Sequence, residues 1–388
     1  MSASRAPSSA ALRVEVVSDL ARFELLRERW DALLERSVER CATMTHAWAR
    51  CWWRSFHGQR VLRVMLIWEA EELRCAVALG LRTERRGGRD VRILSTLTNS
   101  WVDRTGILIA PGDDAALAAL VTALASESAG WDVLELHDRA VDSPIGPRLK
   151  SLLCSHGLLV ASDEALGSPY AVLPRSWEEA LAALSPSFRQ TLRRKLRVAT
   201  AKPGLEMRIV RDASVIEPIM VISLETWQHE NGTSMASTPE VRRFYEQLIA
   251  ACAESGTLFA ALLLLEGEPV AFEFNVLCAR TLHNFKLGYR NTQADWSPGL
   301  VLKAYTMQRY LEEFGRGDAN LEYDFMGTDE PYKQNWTADV RAHECVKGFR
   351  PTLRNRLAVA LRYKLKPAIR DRFPRAVRFG KRLLKGGL

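Results

Sequence analysis

The residues best suited to catalysis lie in the C-terminal half, beginning with the strand-like segment AFEFNVL. Its residues alternate, so Glu273 and Asn275 share the face opposite Phe272 and Phe274. A carboxylate in so apolar a strand is costly unless it is exposed, paired or functional. In a cleft its pKa would rise, which suits a general base that takes a proton from an amine. Exposure on an edge strand is the alternative.

A second polar group follows the next predicted strand in the segment LEYDFMGTDEPYKQNW, residues 321–336. Asp324, Tyr332 and Lys333 flank a break at Gly327, and Trp336 closes the segment. Folds of the α/β class place their sites at such strand ends. An acidic turn with a packing tyrosine is the competing interpretation.

A candidate anion site lies between these two segments, where SPGLVL opens a helix predicted to run to Phe314. Ser297 suits the N-cap, Pro298 the first helical position, and Gly299 leaves the first turn open beside Leu300. Unpaired N–H groups at a helix start can bind a pyrophosphate. Pro298 removes one donor, however, and Asp295 is close enough to repel phosphate.

An arginine-rich connector precedes the C-terminal half. Ser176 and Ser185 are predicted to cap two helices, the second running through FRQTLRRKLRVATA to about residue 203. Arg189, Arg193 and Arg197 fall on one face of it by their i, i+4 spacing. This face is either simply solvated or a clamp for phosphate or acidic headgroups.

The elements that must position these residues occur twice. The order strand, turn, strand, strand, helix, strand runs from VLRVMLIWEA to WDVLELHD, and again from TLFAALLLLEG to ANLEYDF. We interpret the repeat as two copies of one α/β fold with mixed sheets flanked by helices. Coincidence is the alternative, because α/β proteins often repeat such orders.

Composition excludes several functions. The 388 residues are 47% hydrophobic and 26% charged, so the chain is expected to fold. Residues 347–388 hold 14 of the 54 Lys and Arg and one of the 46 acids, which leaves residues 1–346 at a net −5. A DNA-binding body is therefore not expected. Seven scattered cysteines without a CxxC pair, and seven histidines without metal spacing, predict reduced thiols and no metal site.

The basic segment at the end of the sequence has the pattern of an amphipathic helix. Leu353, Leu357, Leu361 and Leu365 repeat at i, i+4 among Lys and Arg, and two prolines kink the stripe farther on. Basic amphipathic helices bind anionic membrane surfaces, whereas basic charge alone would also suit RNA. The start has no apolar core typical of a secretory signal, so we expect a cytoplasmic protein held peripherally at the inner face of the plasma membrane.

Taken together, these motifs resemble a known family. FRQTLRRKLR, ETW at Glu225 to Trp227, GEPVAFEF, SPGLVL and DFMGTDEPYKQNW resemble GNAT-fold acyltransferases of the BioF2-like, cellulose-biosynthesis-associated (CelD-type) group. In these proteins two GNAT-like halves sit in tandem, as in the Fem aminoacyltransferases. The resemblance implies an N-terminal half at 1–170, a C-terminal acyltransferase half at 171–346 and a basic amphipathic tail at 347–388.

The resemblance also implies a mechanism. Acyl-CoA would enter between two parting strands and rest its pyrophosphate near Ser297, Gly299 and Leu300, with help from Arg193. Carried over by position, Glu273 is the candidate base, Tyr332 the candidate acid, Lys333 lies near the oxyanion and Asp324 orients the loop. The candidates for substrate binding, taken from their places beside these motifs, are Trp227, His229, Asn275 and Trp336.

The function implied is N-acyl transfer from acyl-CoA to an amine on an envelope lipid or a lipid-linked amino sugar, as in exopolysaccharide or bacterial sphingolipid synthesis. The segment NTQADWSPG departs from the usual GNAT Q/R-x-x-G-x-G/A loop, so a carrier protein or tRNA stays open as donor. The alternatives are Fem-like transfer from aminoacyl-tRNA, against which the acidic body argues, and a non-catalytic scaffold.

Overall fold

The structure is a computed structural model that describes residues 11–99, 104–316 and 320–365. The described strands are β1 Leu12–Val17, β2 Val61–Glu69, β3 Glu72–Arg86, β4 Arg89–Thr96, β5 Leu108–Ile109, β6 Val133–Ala140, β7 Leu159–Leu173, β8 Leu205–Val210, β9 Ala260–Leu265, β10 Glu268–Cys278, β11 Thr281–Tyr289, β12 Leu321–Asp324 and β13 Val340–Phe349. The described α-helices are α1 Leu20–Glu24, α2 Arg27–Glu35, α3 His46–Phe56, α4 Asp114–Ala125, α5 Gly146–Ser155, α6 Trp177–Ala183, α7 Pro186–Thr200, α8 Ile216–Leu224, α9 Trp227–Glu230, α10 Pro239–Glu254, α11 Pro298–Phe314 and α12 Leu353–Val359.

The predicted internal repeat is confirmed. In the N-terminal copy β2, β3 and β4 are followed by α4 and β6, and in the C-terminal copy β9, β10 and β11 are followed by α11 and β12. In each copy the strands before and after the helix pair in parallel over three residues, at Ile93–Ser95 with Val133–Glu135 and at Thr281–His283 with Glu322–Asp324. The fold class is therefore mixed α/β, with helices flanking a mixed sheet.

The two copies share one continuous sheet. Its order is β1-β2-β3-β4-β6-β13-β7-β12-β11-β10-β9-β8, with β5 paired to β3. The long strand β7 pairs with β13 over its first part and with β12 at its end, and β13 lies between β6 and β7. The predicted boundaries after residues 170 and 346 fall inside β7 and β13. The copies are therefore interlocked by exchanged strands.

An aromatic core joins the copies behind strand β11. Trp48 of α3 packs edge-on against Phe244 of α10 at 5.0 Å and stacks on Phe285 of β11 at 5.1 Å. Phe285 in turn stacks on Phe274 of β10 at 5.6 Å. Such aromatic pairs add roughly 0.5–1.5 kcal/mol each beyond the area they bury. The N-terminal copy therefore supports the strand that carries the site described below.

The connector and the basic tail behave largely as their sequences predict. Ser176 and Ser185 each accept a backbone N–H at the start of α6 and α7, which confirms both caps. Helix α12 begins after Thr352 and continues into a π turn at Ala360–Leu365. The rest of the predicted amphipathic tail lies outside the described residues. Within the part of the chain that the structure describes, we find no helix both long and apolar enough to cross a membrane.

Candidate functional site

The candidate site is a pocket where strands β11 and β12 part. The two strands pair only from Thr281 to His283, and β12 ends at Asp324 whereas β11 continues to Tyr289. Beyond the last pair the edge of β11 is left open, and a pocket of about 1020 Å³ occupies the gap. This volume is at the upper end of the range of ~300–1,000 Å³ for small-molecule sites. An extended chain could enter here beside β11.

A β-bulge bends β11 at the vertex of this gap. Phe274 of β10 faces Lys286 and Asn275 faces Asn284, so Phe285 is an extra residue on β11. A bulge bends its strand and redirects the local backbone. Four consecutive residues, Asn284 to Leu287, consequently line the pocket instead of alternate ones.

The inner end of the pocket holds a buried polar cluster. Lys303 Nζ of α11 donates to Glu273 Oε1 at 2.7 Å, to Tyr323 Oη at 2.9 Å and to Asn284 Oδ1 at 3.0 Å. Lys303 and Glu273 are 2% and 0% exposed. Burial lowers the pKa of Lys303, and the Glu273 carboxylate opposes part of that shift. Of this cluster, Lys303 and Asn284 line the pocket.

Sequence reasoning missed Lys303, although its spacing carries a signal. It lies on the buried side of α11 with Gly299 four residues before, Met307 four after and Tyr310 seven after. Lysine is almost never fully buried unless it is paired. The sequence signal for such a buried pair is a lysine within the apolar stripe of a helix, together with a single glutamate in an apolar strand.

Two residues predicted for the site lie behind it. Glu273 contacts Lys303 and Tyr323, of which only Lys303 lines the pocket, and its Oε2 has no described hydrogen-bond partner. Asn275 donates to the Phe259 carbonyl at 3.1 Å and accepts from Asn284 at 2.7 Å. These contacts place Asn275 outside the pocket wall.

The loop after β12 is fixed by Asp324, which joins the two copies. Asp324 Oδ1 accepts the Met326 N–H at 2.9 Å, and Oδ2 accepts from Arg341 at 2.9 Å and from Arg104 of the N-terminal copy. Burial opposes ionisation of Asp324, but Arg104, His283 and Arg341 hold its pKa below the ordinary value. The orienting role of Asp324 stays a prediction.

The loop places Tyr332 and Lys333 on the pocket wall, where Tyr332 is exposed and Lys333 is buried. Tyr332 is 47% exposed. Lys333 is buried, and its Nζ donates to the carbonyls of Met326 at 2.6 Å and Thr328 at 3.0 Å beside the Glu330 carboxylate. The Lys333 ammonium therefore tethers the loop, while the Tyr332 side chain is reachable by a ligand.

The start of α11 lines the pocket, and Ser297 occupies its N-cap position with Pro298 following, as predicted. Ser297 has a left-handed backbone with φ +63°, and its side chain makes no capping hydrogen bond. Capping side chains usually act from an extended backbone, so this cap lacks the usual side-chain bond. The Ser297 carbonyl instead accepts the N–H groups of Leu300 and Val301. Gly299 is left as the first-turn residue whose N–H no described hydrogen bond uses.

Some of the remaining predicted site residues line the pocket and others lie away from it. Trp227 and Trp336 line the pocket, as do Ser297, Gly299 and Leu300. His229 hydrogen-bonds Ser234 at 3.1 Å and is not on the wall. Arg193 is exposed on α7, whose residues Ser187, Phe188 and Thr191 form one side of the pocket. Among the described residues, no group of three or more His, Cys, Asp or Glu is arranged to hold a metal ion.

The matching gap of the N-terminal copy is closed by the chain itself. Thr105 donates its hydroxyl to the His137 carbonyl and its N–H to the Asp138 carbonyl, so this segment lies along β6. At the start of α4, Asp113 accepts the Ala116 N–H and pairs with Arg74 at 2.8 Å. A capping carboxylate repels an anion from that helix start. The open gap therefore belongs to the C-terminal copy.

Comparisons with known proteins agree with this architecture. Residues 186–334 match the acetyltransferase (GNAT) domain family, which covers α7 through the pocket loop. Among curated proteins, no sequence matches the chain significantly.

Three solved structures share the fold across most of the chain. The crystal structure of FemX has a TM-score of 0.60 at 13% identity and covers 87% of this chain and 98% of its own. A conserved protein of unknown function from Bacteroides thetaiotaomicron has a TM-score of 0.53 at 15% identity, covering 87% and 100%. The C-terminal DUF2156 domain of a candidate lysylphosphatidylglycerol synthetase from Agrobacterium fabrum has a TM-score of 0.52 at 13% identity, covering 91% and 97%.

These similarities confirm a GNAT-like fold. Assignment to the BioF2-like group remains a prediction.

Proposed function

We propose that the C-terminal copy is an N-acyltransferase that moves an acyl group from a pantetheine thioester, such as acyl-CoA, to an amine. The observation that carries this proposal is the pocket between the parted strands β11 and β12, with the Lys303–Glu273 pair at its inner end. The match of residues 186–334 to the acetyltransferase (GNAT) domain supports a transferase.

The pantetheine arm would lie extended along the open edge of β11. There it can exchange hydrogen bonds with backbone groups of residues 284–289 that β12 does not pair, apart from the Leu287 carbonyl, which accepts from Gln228 Nε2 at 3.1 Å. The thioester carbonyl would then sit near the bulge at Phe285, above the Lys303 cluster. This placement holds the reacting carbon and the amine together, which removes much of the entropic barrier.

The chemistry is direct aminolysis. The amine nitrogen forms a bond to the thioester carbon, the C–S bond breaks, and the pantetheine thiolate leaves. The nitrogen gives up one proton, and the Lys303–Glu273 pair is placed to accept it because burial lowers the pKa of Lys303. Glu273 at 2.7 Å stabilises the ammonium that forms. Tyr332, reachable on the wall, is our candidate to protonate the thiolate.

A continuous thiol-release assay tests this function. Acetyl-CoA and palmitoyl-CoA would be offered with a series of lipid and amino-sugar amines, and the rate should rise with pH as Lys303 loses its proton. Lys303→Met should abolish turnover. The matched control Lys150→Met removes a lysine whose ion pair with Glu344 lies in the N-terminal copy, and it should leave turnover intact. Turnover by Lys303→Met equal to the control would refute the assigned role.

We further propose that the acceptor is presented at an anionic membrane. Leu353, Leu357 and Leu361 of α12 and its extension are 76%, 57% and 53% exposed, so the predicted apolar stripe is not covered by the described body. Arg354 lies against the β3–β4 hairpin at the Arg86 carbonyl, which brings further arginines to the same surface. Each basic residue near an anionic surface contributes about 1 kcal/mol.

Vesicle flotation tests this membrane contact. The wild-type chain should float with phosphatidylglycerol vesicles and not with phosphatidylcholine vesicles. Replacing Leu353, Leu357 and Leu361 by Asp should abolish flotation, while the control Leu166→Asp, at an equally exposed leucine of β7, should not. Unchanged flotation of the triple variant would refute the contact.

A further inference from the structure

The exposed face of α7 carries arginines that the described structure leaves without acidic partners. Arg193, Arg194 and Arg197 are all exposed, and no ion pair or hydrogen bond of their side chains is described. Other exposed arginines are divided, since Arg208 pairs with Glu206 and Arg92 with Asp132, whereas Arg148 and Arg243 have no described ion pair. No acid occurs from residue 189 to 202. The face is therefore a concentrated positive surface.

This surface borders the outer part of the pocket. Thr191 lines the pocket, and Arg194 lies three residues farther along the same face of the helix. Lys195 donates to the Asp295 carbonyl at 3.0 Å, and Lys202 lies 5.1 Å from the Trp296 ring centre, so α7 is fixed against the segment that leads into α11. Arg194 therefore lies beside the outer part of the pocket, and Arg193 and Arg197 lie on the adjoining outward side of α7.

The helix start beside them is a poor cradle for a diphosphate. Pro298 has no N–H, and the N–H groups of Leu300 and Val301 already bond to the Ser297 carbonyl. Gly299 is the remaining first-turn donor. A ligand with two adjacent phosphates would find few backbone N–H groups here. An acyl donor attached to a larger, negatively charged molecule would instead contact the arginines.

We infer that the arginine face of α7 docks a small acidic carrier protein that presents the acyl group on a 4′-phosphopantetheine arm. This inference rests on the proposed function and specifies its donor. Arg193 to Arg197 span about 6 Å along the helix axis at 1.5 Å per residue, which matches about one turn of a facing acidic helix. A long polyanion is disfavoured because residues 1–346 carry a net −5.

Steady-state kinetics with two donors test the docking. The same acyl group is supplied either on an acidic acyl carrier protein or on coenzyme A, to the wild type and to Arg194→Ser/Arg197→Ser. The double variant should lose roughly 10-fold in kcat/KM for the carrier-bound donor, as expected for two rim charges. Its kcat/KM for acyl-CoA should change less than threefold. The control Arg148→Ser/Arg243→Ser removes exposed arginines of α5 and α10 and should change neither value.

The outcomes separate the docking from the function. Equal losses with both donors would assign the arginines to coenzyme A phosphates and overturn the carrier inference. No loss with either donor would also overturn it, while turnover itself would still support the acyltransferase function. Transfer from an aminoacyl-tRNA alone would overturn the carrier inference, and absence of turnover with every donor would count against the function itself.

Discussion

The buried pair of Lys303 and Glu273 gives the sharpest stability prediction. Lys303→Met keeps a side chain of similar length but leaves the Glu273 carboxylate, which is 0% exposed, without its cationic partner at 2.7 Å. Removing one partner of a buried ion pair costs about 3–5 kcal/mol, because the remaining charge stays desolvated. We expect the free energy of unfolding of Lys303→Met to fall by that amount.

The double variant Lys303→Met/Glu273→Gln shows whether the loss of stability comes from the unpaired charge or from altered packing. It removes both charges and keeps both side-chain volumes close to the original, so it should recover most of the lost stability. The Gln amide can still interact with the Tyr323 hydroxyl that contacts Glu273 at 3.3 Å. Because the double variant lacks the proton acceptor, it should remain inactive although it is stable.

Urea unfolding followed by tryptophan fluorescence and far-UV circular dichroism gives these free energies, with Lys150→Met as the control. A loss below 1 kcal/mol in Lys303→Met would mean that water reaches the pair and that the buried cluster is misplaced. Strictly additive losses in the double variant would mean that the two groups do not interact. Recovered stability together with recovered turnover would refute the role of the pair in proton transfer.

Further predictions concern other parts of the molecule. Burial lowers the pKa of the His46 and His343 imidazoles to about 4 in the folded protein. In the unfolded chain these histidines take up protons below about pH 6.5. The free energy of unfolding should therefore fall by about 3 kcal/mol per histidine as the pH is lowered from 6.5 to 4. Equilibrium unfolding at both pH values checks this, and a flat profile would contradict it. Gly299→Ala places a Cβ 2.9 Å from Leu287 Cδ2 at the pocket wall, so donor KM should rise several-fold with little change in thermal stability. Asp324→Asn removes a buried charge shared by two arginines, and it should lower the unfolding free energy by about 3–5 kcal/mol in the same urea assay; a loss below 1 kcal/mol would refute this.

The sequence predicted the repeat and the approximate position of the pocket because both follow from local patterns. Strand alternation and the caps at Ser176 and Ser185 depend on neighbouring residues, and they agree with the structure. Strand exchange could not be predicted in this way. The pairing of β13 with β6 joins residues about 200 positions apart, and no periodicity in either strand encodes that partner.

The site itself was predicted in part. The strand with Glu273 and the loop with Tyr332 and Lys333 were identified, but the contact between Glu273 and Lys303 depends on how α11 rotates onto β10 and β11. The N-cap position of Ser297 follows from residue preference, but its missing side-chain bond does not, because that depends on the left-handed backbone that Ser297 adopts after the 3₁₀ turn at Asn291–Trp296. The coupling of Asp324 to Arg104 likewise required the fold of both copies.

Amide hydrogen exchange with a non-hydrolysable acyl-pantetheine thioether tests the central claim most directly. This probe carries the arm common to coenzyme A and to carrier proteins, so the result does not depend on which of them is the donor. We predict slower exchange at residues 284–289 of β11 and at 325–328 after β12, with unchanged exchange at the start of α4. Protection confined to the N-terminal copy, or none at saturating probe, would contradict a donor site between β11 and β12.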